Sequence, residues 1–293
     1  MNLESFTKKL DAYERLMHLD KPIGSLVLLW PTLCALWVAS RGKPDWIVLL
    51  IFVTGAVLMR SAGCVMNDIA DRKYDSLVER TKDRPLATGE VSVKEAYLLA
   101  ASLSLLAFCL VLLFNKTTIF LSFAALFLAA SYPFTKRFLA IPQAYLGVAF
   151  GFGIPMAFAA INDFIPALAW VLLAANVFWA IAYDTEYAMV DRDDDLKIGI
   201  KSSALLFGKY DVAAIIFCYV GMLGLLVYVG QFMGYGRYYY IGLIVALLLV
   251  LWQYKLIHKR VKTDCFNAFL HNNWIGLAVF SGFVAEYYFK YAA

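Results

Sequence analysis

Apolar residues run through this chain in blocks of about twenty, and blocks of that length read as membrane-crossing helices. Nine blocks are present, at 23–40, 46–66, 96–114, 117–134, 143–161, 165–186, 211–230, 237–256 and 271–289. Short polar turns separate some of them (41–45, 115–116, 162–163), and longer polar loops follow the second, sixth and eighth. The pattern predicts an all-α polytopic membrane protein, a bundle of nine transmembrane helices forming one membrane-embedded domain over 1–293. Composition agrees: 62% of the 293 residues are hydrophobic and 16% are charged, against roughly half and a quarter in soluble domains.

The formal net charge of +4 acquires its meaning from position. Twenty Lys and Arg fall in the N-terminal segment and in the segments 67–95, 135–142, 187–210 and 255–262. Only Arg41, Lys43, Lys116, Arg237 and Lys290 fall on the other side. By the positive-inside rule the N-terminus is cytoplasmic, the C-terminus lies outside, and all the long loops are cytoplasmic. The bases are thus topology signals and contacts to anionic membrane lipids, which argues against a nucleic-acid partner. The first 21 residues are polar and charged, and no cleavable leader is expected. The five cysteines are scattered without a CxxC pair, and the three histidines are far apart, so neither a disulfide framework nor a zinc site is indicated.

Acids cluster where two of these helices should be ending. The second block runs into Asn67-Asp68-Ile69-Ala70-Asp71-Arg72-Lys73-Tyr74-Asp75, and the sixth into Asp184-Thr185-Glu186-Tyr187-Ala188-Met189-Val190-Asp191-Arg192-Asp193-Asp194-Asp195. Both contain Asp-Arg-x-x-Asp, after even-numbered helices and on the same side, which reads as a weak internal repeat of motifs at 67–75 and 184–195. Asn67, Asp71 and Asp75 share one helical stripe, as do Tyr187, Asp191 and Asp195, since residues four apart lie on one face. Two such faces turned together would form a strongly negative pocket that calls for divalent cations. Mg2+ takes oxygen ligands and commonly bridges carboxylates to substrate phosphates. Lys73, Lys136 and Arg137 could supply cations for a diphosphate. Arg60 lies two helical turns deeper than Asn67 on the same face, and an intramembrane arginine by default marks function. Its planar fork suits a substrate carboxylate. Gly147, Gly151 and Gly153 in the fifth block fit close helix packing.

At these motifs the chain resembles the UbiA superfamily of intramembrane prenyltransferases. The likeness rests on Asn67-Asp68-x-x-Asp71-x-x-x-Asp75, on Lys82-Asp83-Arg84-Pro85-Leu86-Ala87-Thr88-Gly89, and on Asp184-x-x-Tyr187-x-x-x-Asp191-x-x-x-Asp195. The opening Asp20-Lys21-Pro22-Ile23-Gly24-Ser25 and the run Tyr132-Pro133-Phe134-Thr135-Lys136-Arg137 are similar to the branch that prenylates 4-hydroxybenzoate in ubiquinone biosynthesis. The resemblance implies a central cavity with both motifs at its cytoplasmic end, in a bacterial inner membrane. It implies Mg2+ held by Asn67, Asp68, Asp71, Asp75, Asp191 and Asp195, with Asp71, Asp75, Asp191 and Asp195 catalytic. Lys73, Lys136 and Arg137 would bind the diphosphate of a polyprenyl diphosphate, and Arg60, Asn67 and Tyr187 the aromatic acid. A same-fold enzyme with another acceptor (a menaquinone precursor or haem) is the nearest alternative. The CDP-alcohol transferase signature is absent. Coupling acids of a transporter would sit near the bilayer midplane, whereas these lie at a cytoplasmic edge.

Overall fold

A chain crossing lipid must satisfy its own backbone N–H and C=O groups, and each apolar block here does so as helix. The structure, a computed structural model, describes residues 3–78 and 80–291, and among these there is no strand. The helices in order are α1 (Leu3–Leu16), α2 (Ile23–Ala39), α3 (Trp46–Asp75), α4 (Pro85–Thr88), α5 (Val93–Val111), α6 (Lys116–Thr135), α7 (Pro142–Gly151), α8 (Gly153–Asn162), α9 (Ala167–Ile198), α10 (Ser203–Phe207), α11 (Asp211–Phe232), α12 (Arg237–Ile257) and α13 (Lys262–Tyr291). Eight helical stretches among the described residues are long and apolar enough to cross a membrane. The first expected span appears as α2, whose 17 residues fall short of the usual twenty or so.

Local chemistry explains several boundaries. The Asp45 carboxylate accepts from the Ile47 and Val48 amides at 2.7 and 3.3 Å and starts α3, a cap contributing about 1 kcal/mol. Ser92 and Glu95 form a reciprocal capping box at the start of α5. The fifth block is two helices, α7 and α8, parted at Phe152. Pro155 has no N–H to return to the Gly151 carbonyl, which is where the ladder breaks. The helices carrying the acidic motifs are longer than the apolar pattern alone required: α3 continues past 66 to Asp75, and α9 past 186 to Ile198.

The bundle is organised around α9, which packs against α7, α11 and α13, while α3 packs against α5. Its main core joins α2, α8, α9, α11, α12 and α13, through side chains such as Leu36, Ile154, Trp179, Tyr219, Tyr239 and Phe283. A smaller core, including Ala12, Leu16, Val65, Ile69 and Leu86, seats α1 and α4 on α3 and α5. The glycines of the fifth block permit the close approach expected of them. A Cβ on Gly147 would fall 2.9 Å from the Val177 Cα of α9, and one on Gly153 would fall 2.4 Å from the Thr32 hydroxyl of α2. Large apolar side chains such as Leu113, Phe120 and Phe127 face outward, as helices bathed in lipid require.

A buried polar network locks α9 in its rotational setting. Glu186 is fully buried; its carboxylate accepts from the Tyr219 hydroxyl at 3.0 Å and from the Asn272 amide at 2.8 Å. The Asn272 side-chain oxygen in turn accepts from the Trp179 indole at 2.8 Å. This ties α9 to α11 and α13, and satisfied networks of this kind specify one packing arrangement. Beyond the network, Asp211 is buried between Arg192 and Arg260 and fastens the end of α9 to the α12–α13 turn.

Candidate active site

Because α3 and α9 continue as helix beyond their apolar blocks, both acidic motifs remain on rigid elements. On α3, Asp68, Asp71 and Asp75 are buried and Asn67 is half-buried. On α9, Tyr187, Asp191 and Asp195 are half-buried. Gly199, at φ +73, ends α9 in the left-handed conformation that glycine adopts without strain.

The segment between α3 and α5 joins the two motifs. Arg84 Nη1 donates to Asp68 Oδ1 at 2.8 Å and to Asp75 Oδ2 at 3.1 Å. Arg80 reaches across to α9: its Nε donates to Asp191 Oδ1 at 3.1 Å and its Nη2 to the other carboxylate oxygen. The Arg80 guanidinium also lies 4.6 Å from the centre of the Tyr187 ring, a cation–π contact. Tyr187 packs in turn on Phe269, 4.7 Å between ring centres. From the end of α6, Lys136 pairs with Asp71. The motif acids therefore face a ring of bases contributed by two separate loops.

The two acidic stripes are met in this structure by bases. Among the described residues no three His, Cys, Asp or Glu side chains converge as a metal cluster. Buried carboxylates repel one another, and here each draws a base instead. The residues still fit a hard cation, because Asp68 Oδ2 and Asp71 Oδ1 are buried oxygens with no hydrogen-bond partner among the described residues. Buried carboxylate oxygens without a hydrogen-bond partner are donors of the kind a hard cation takes.

Other expected residues stand as follows. Lys73 is exposed and makes no ion pair among the described residues. Arg137 donates to the Ala70 carbonyl at 2.7 Å and lies over the Phe134 ring, so it braces α3 from outside the ring of bases. Arg60 is buried, and Nη1 donates to the His18 and Met17 carbonyls at 2.6 and 3.2 Å. Among the described residues no carboxylate lies within 4.0 Å of it. Arg80, Arg84 and Asp184 join the site without lying on either acidic stripe's i, i+4, i+8 positions. Arg84 sits in a run quoted for the family likeness, which was a usable signal, and Asp184 lies two helical turns before Asp191, near Gln143 and Lys136. Arg80 left no signal, since only the path of the loop brings it to Asp191.

Beside Trp179 lies an apolar cavity of about 50 Å3, lined by Trp30, Cys34, Leu172, Met222, Ile275 and Phe283 among others. Trp30 also borders a lipid-facing groove along α13. A base-ringed acidic cluster and an apolar cavity thus occur within one membrane bundle.

Residues 28–275 match the UbiA prenyltransferase family. The chain is 62% identical over 290 residues to the 4-hydroxybenzoate octaprenyltransferase of Methylobacillus flagellatus, covering 99% of this chain and 98% of that one. It is likewise 62% identical over 283 residues to the protein of that name from Azoarcus sp., covering 97% and 99%. Among solved structures, a UbiA homolog from Aeropyrum pernix K1 superposes with a TM-score of 0.78 at 25% identity, over 88% of this chain and 96% of that one. A UbiA homolog from Archaeoglobus fulgidus, solved bound to GPP and Mg2+, superposes with a TM-score of 0.67 at 20% identity, over 92% and 99%. The chain is an integral membrane protein of the UbiA prenyltransferase family.

Proposed function

We infer that this protein transfers a polyprenyl group from polyprenyl diphosphate to the ring carbon beside the hydroxyl of 4-hydroxybenzoate, the prenylation step of ubiquinone biosynthesis. The observation that carries the reading is the facing of two acidic helix ends with the bases Arg80, Arg84 and Lys136, beside the unneutralised Arg60. The names of relatives at 62% identity support the acceptor and point to an octaprenyl donor.

In the proposed reaction the allylic C–O bond breaks and its electron pair leaves with the diphosphate. The ring carbon, made electron-rich by the para-hydroxyl, forms the new C–C bond, and loss of its proton restores aromaticity. Lys136, Arg80 and Arg84 stabilise charge developing on the diphosphate, electrostatic catalysis at its strongest where water is excluded. Asp68, Asp71, Asp75, Asp191 and Asp195, with Asn67, would hold Mg2+, which when bound supplies further charge stabilisation to the leaving group. Arg60 binds the acceptor carboxylate, with Asn67 and Tyr187 beside the ring. The apolar cavity beside Trp30 and Trp179 offers the prenyl tail an apolar lining.

The test is direct. Membranes containing the protein, given 4-hydroxybenzoate, Mg2+ and octaprenyl diphosphate, yield the prenylated acid identified by mass. Product only with another acceptor, such as a menaquinone precursor or haem, would replace this reading by the same-fold alternative.

The distribution of bases supports a cytoplasmic pocket in the bacterial inner membrane. A cysteine introduced at Ser76 is labelled by an impermeant reagent only from the cytoplasmic side, and one at Asp163 only from outside. Labelling of both from one side overturns the orientation.

A further inference from the structure

Arg60 is held entirely by main chain. The helix α1 closes with the Leu19 amide bonded to the Glu14 carbonyl and the His18 amide to the Arg15 carbonyl, both at 3.1 Å. That is the double bond pattern of a helix terminated by a left-handed residue, and His18 occupies the left-handed position at φ +53. A side chain there is strained, and such positions cluster at functional sites. The turn that follows α1 presents its carbonyls to Arg60. Nη1 donates to Met17 O at 3.2 Å and to His18 O at 2.6 Å, the latter also accepting from the Lys21 amide at 3.1 Å, and Nη2 lies 3.4 Å from the Lys21 carbonyl. The opposite side is closed by Gly24 in the first turn of α2. A Cβ there would fall 2.6 Å from Nη2 and 3.3 Å from Cζ, so any larger residue must displace the guanidinium.

Carbonyl acceptors orient a guanidinium without cancelling its charge. A buried cation left uncompensated is costly, and an anionic ligand removes the cost. The contacts fix the guanidinium in place and leave its charge to be met by substrate.

We propose that the turn ending α1, with His18 at its left-handed position, and Gly24 of α2 form a cradle that aims Arg60 at the carboxylate of the aromatic acceptor. His18 and Gly24 are positioning residues that set acceptor affinity. The inference rests on the assignment of Arg60 to the acceptor, and it adds the reason α1 exists in an enzyme whose chemistry lies on α3 and α9. The His18 imidazole makes a separate contact: Nε2 lies 3.8 Å from Asp68 Oδ2. The variants below separate it from the main-chain role.

The experiment measures KM for 4-hydroxybenzoate and for octaprenyl diphosphate on purified, folded variants. His18→Val places a β-branched residue in the left-handed region, where the strain corresponds to about a five- to thirty-fold effect, and the acceptor KM rises on that scale. Gly24→Ala raises the same constant through a different helix. The donor KM moves far less in both. His18→Gly and His18→Asn suit the left-handed conformation but lack the imidazole, and they restore most of the acceptor affinity lost in His18→Val. Arg60→Lys, which keeps charge but loses the fork, raises the acceptor KM if the underlying assignment holds. An unchanged acceptor KM in Arg60→Lys overturns that assignment itself. A raised value there beside unchanged values in Gly24→Ala and His18→Val overturns the cradle alone. The cradle is also overturned if His18→Gly is as impaired as His18→Val, or if both KM values drift together.

Discussion

Asp191→Asn gives a folded protein whose turnover falls by roughly a hundred- to a thousand-fold, the scale of removing one preorganised electrostatic group from a water-excluded site. The substitution keeps the volume and removes the charge. Asp191 is the acid on α9 that Arg80 grips with both nitrogens, so its loss frees Arg80 and removes an oxygen donor facing α3 at once. Chelation by EDTA abolishes the activity of the unmodified protein and added Mg2+ restores it, while Asp191→Asn needs far more Mg2+ for half its residual rate. Asp193→Asn is the control. It lies two residues away in the same acidic run, but it is exposed and pairs with Lys262 at 2.9 Å, and exposed pairs contribute little. Full turnover with unshifted Mg2+ dependence in folded Asp191→Asn would exclude Asp191 as a metal ligand.

That contrast between Asp191 and Asp193 was available from the sequence, because helical phase alone puts Asn67, Asp71 and Asp75 on one stripe and Tyr187, Asp191 and Asp195 on another. Membrane helices and their approximate ends were equally legible, since a block of twenty apolar residues has few ways to satisfy its backbone except as a spanning helix. Arg60 stood out because a charge in an apolar run has no local explanation. What could not be read were contacts created by chain path. Arg80 and Asp191 are 111 residues apart, and Glu186 and Asn272 are 86 apart. No local periodicity pairs them. Asp68 lies off the Asn67 stripe, yet it is fully buried, because Arg84 turns back from the following loop to meet it. The break at Phe152 carried a signal in Pro155, but whether a proline kinks a helix or divides it depends on the helices packed around it.

Arg84→Gln is expected to destabilise the fold by about 3–5 kcal/mol, the usual consequence of removing one member of a buried charge group. Asp68 and Asp75 are both buried, their carboxylates share the Arg84 guanidinium, and Asp68 Oδ2 already lacks a hydrogen-bond partner among the described residues. Burial works against the charge on Arg84, but Asp68 and Asp75 outweigh it and hold the guanidinium pKa above the ordinary arginine value. Arginine therefore remains charged at any pH at which the protein folds, and mild alkali does not mimic the substitution. A neutral amide in its place can still donate to one carboxylate but leaves two like charges facing each other. The measurement is thermal unfolding of the purified protein in detergent without substrate, so that loss of catalysis does not enter. Adding Asp75→Asn to Arg84→Gln removes one of the stranded charges and should recover part of the loss, because residues in one ion-pair network are not additive. If the double variant unfolds as the sum of the two single changes predicts, Arg84 is not the counter-charge of this pocket, and the loop it belongs to must be held over α3 by its apolar contacts alone.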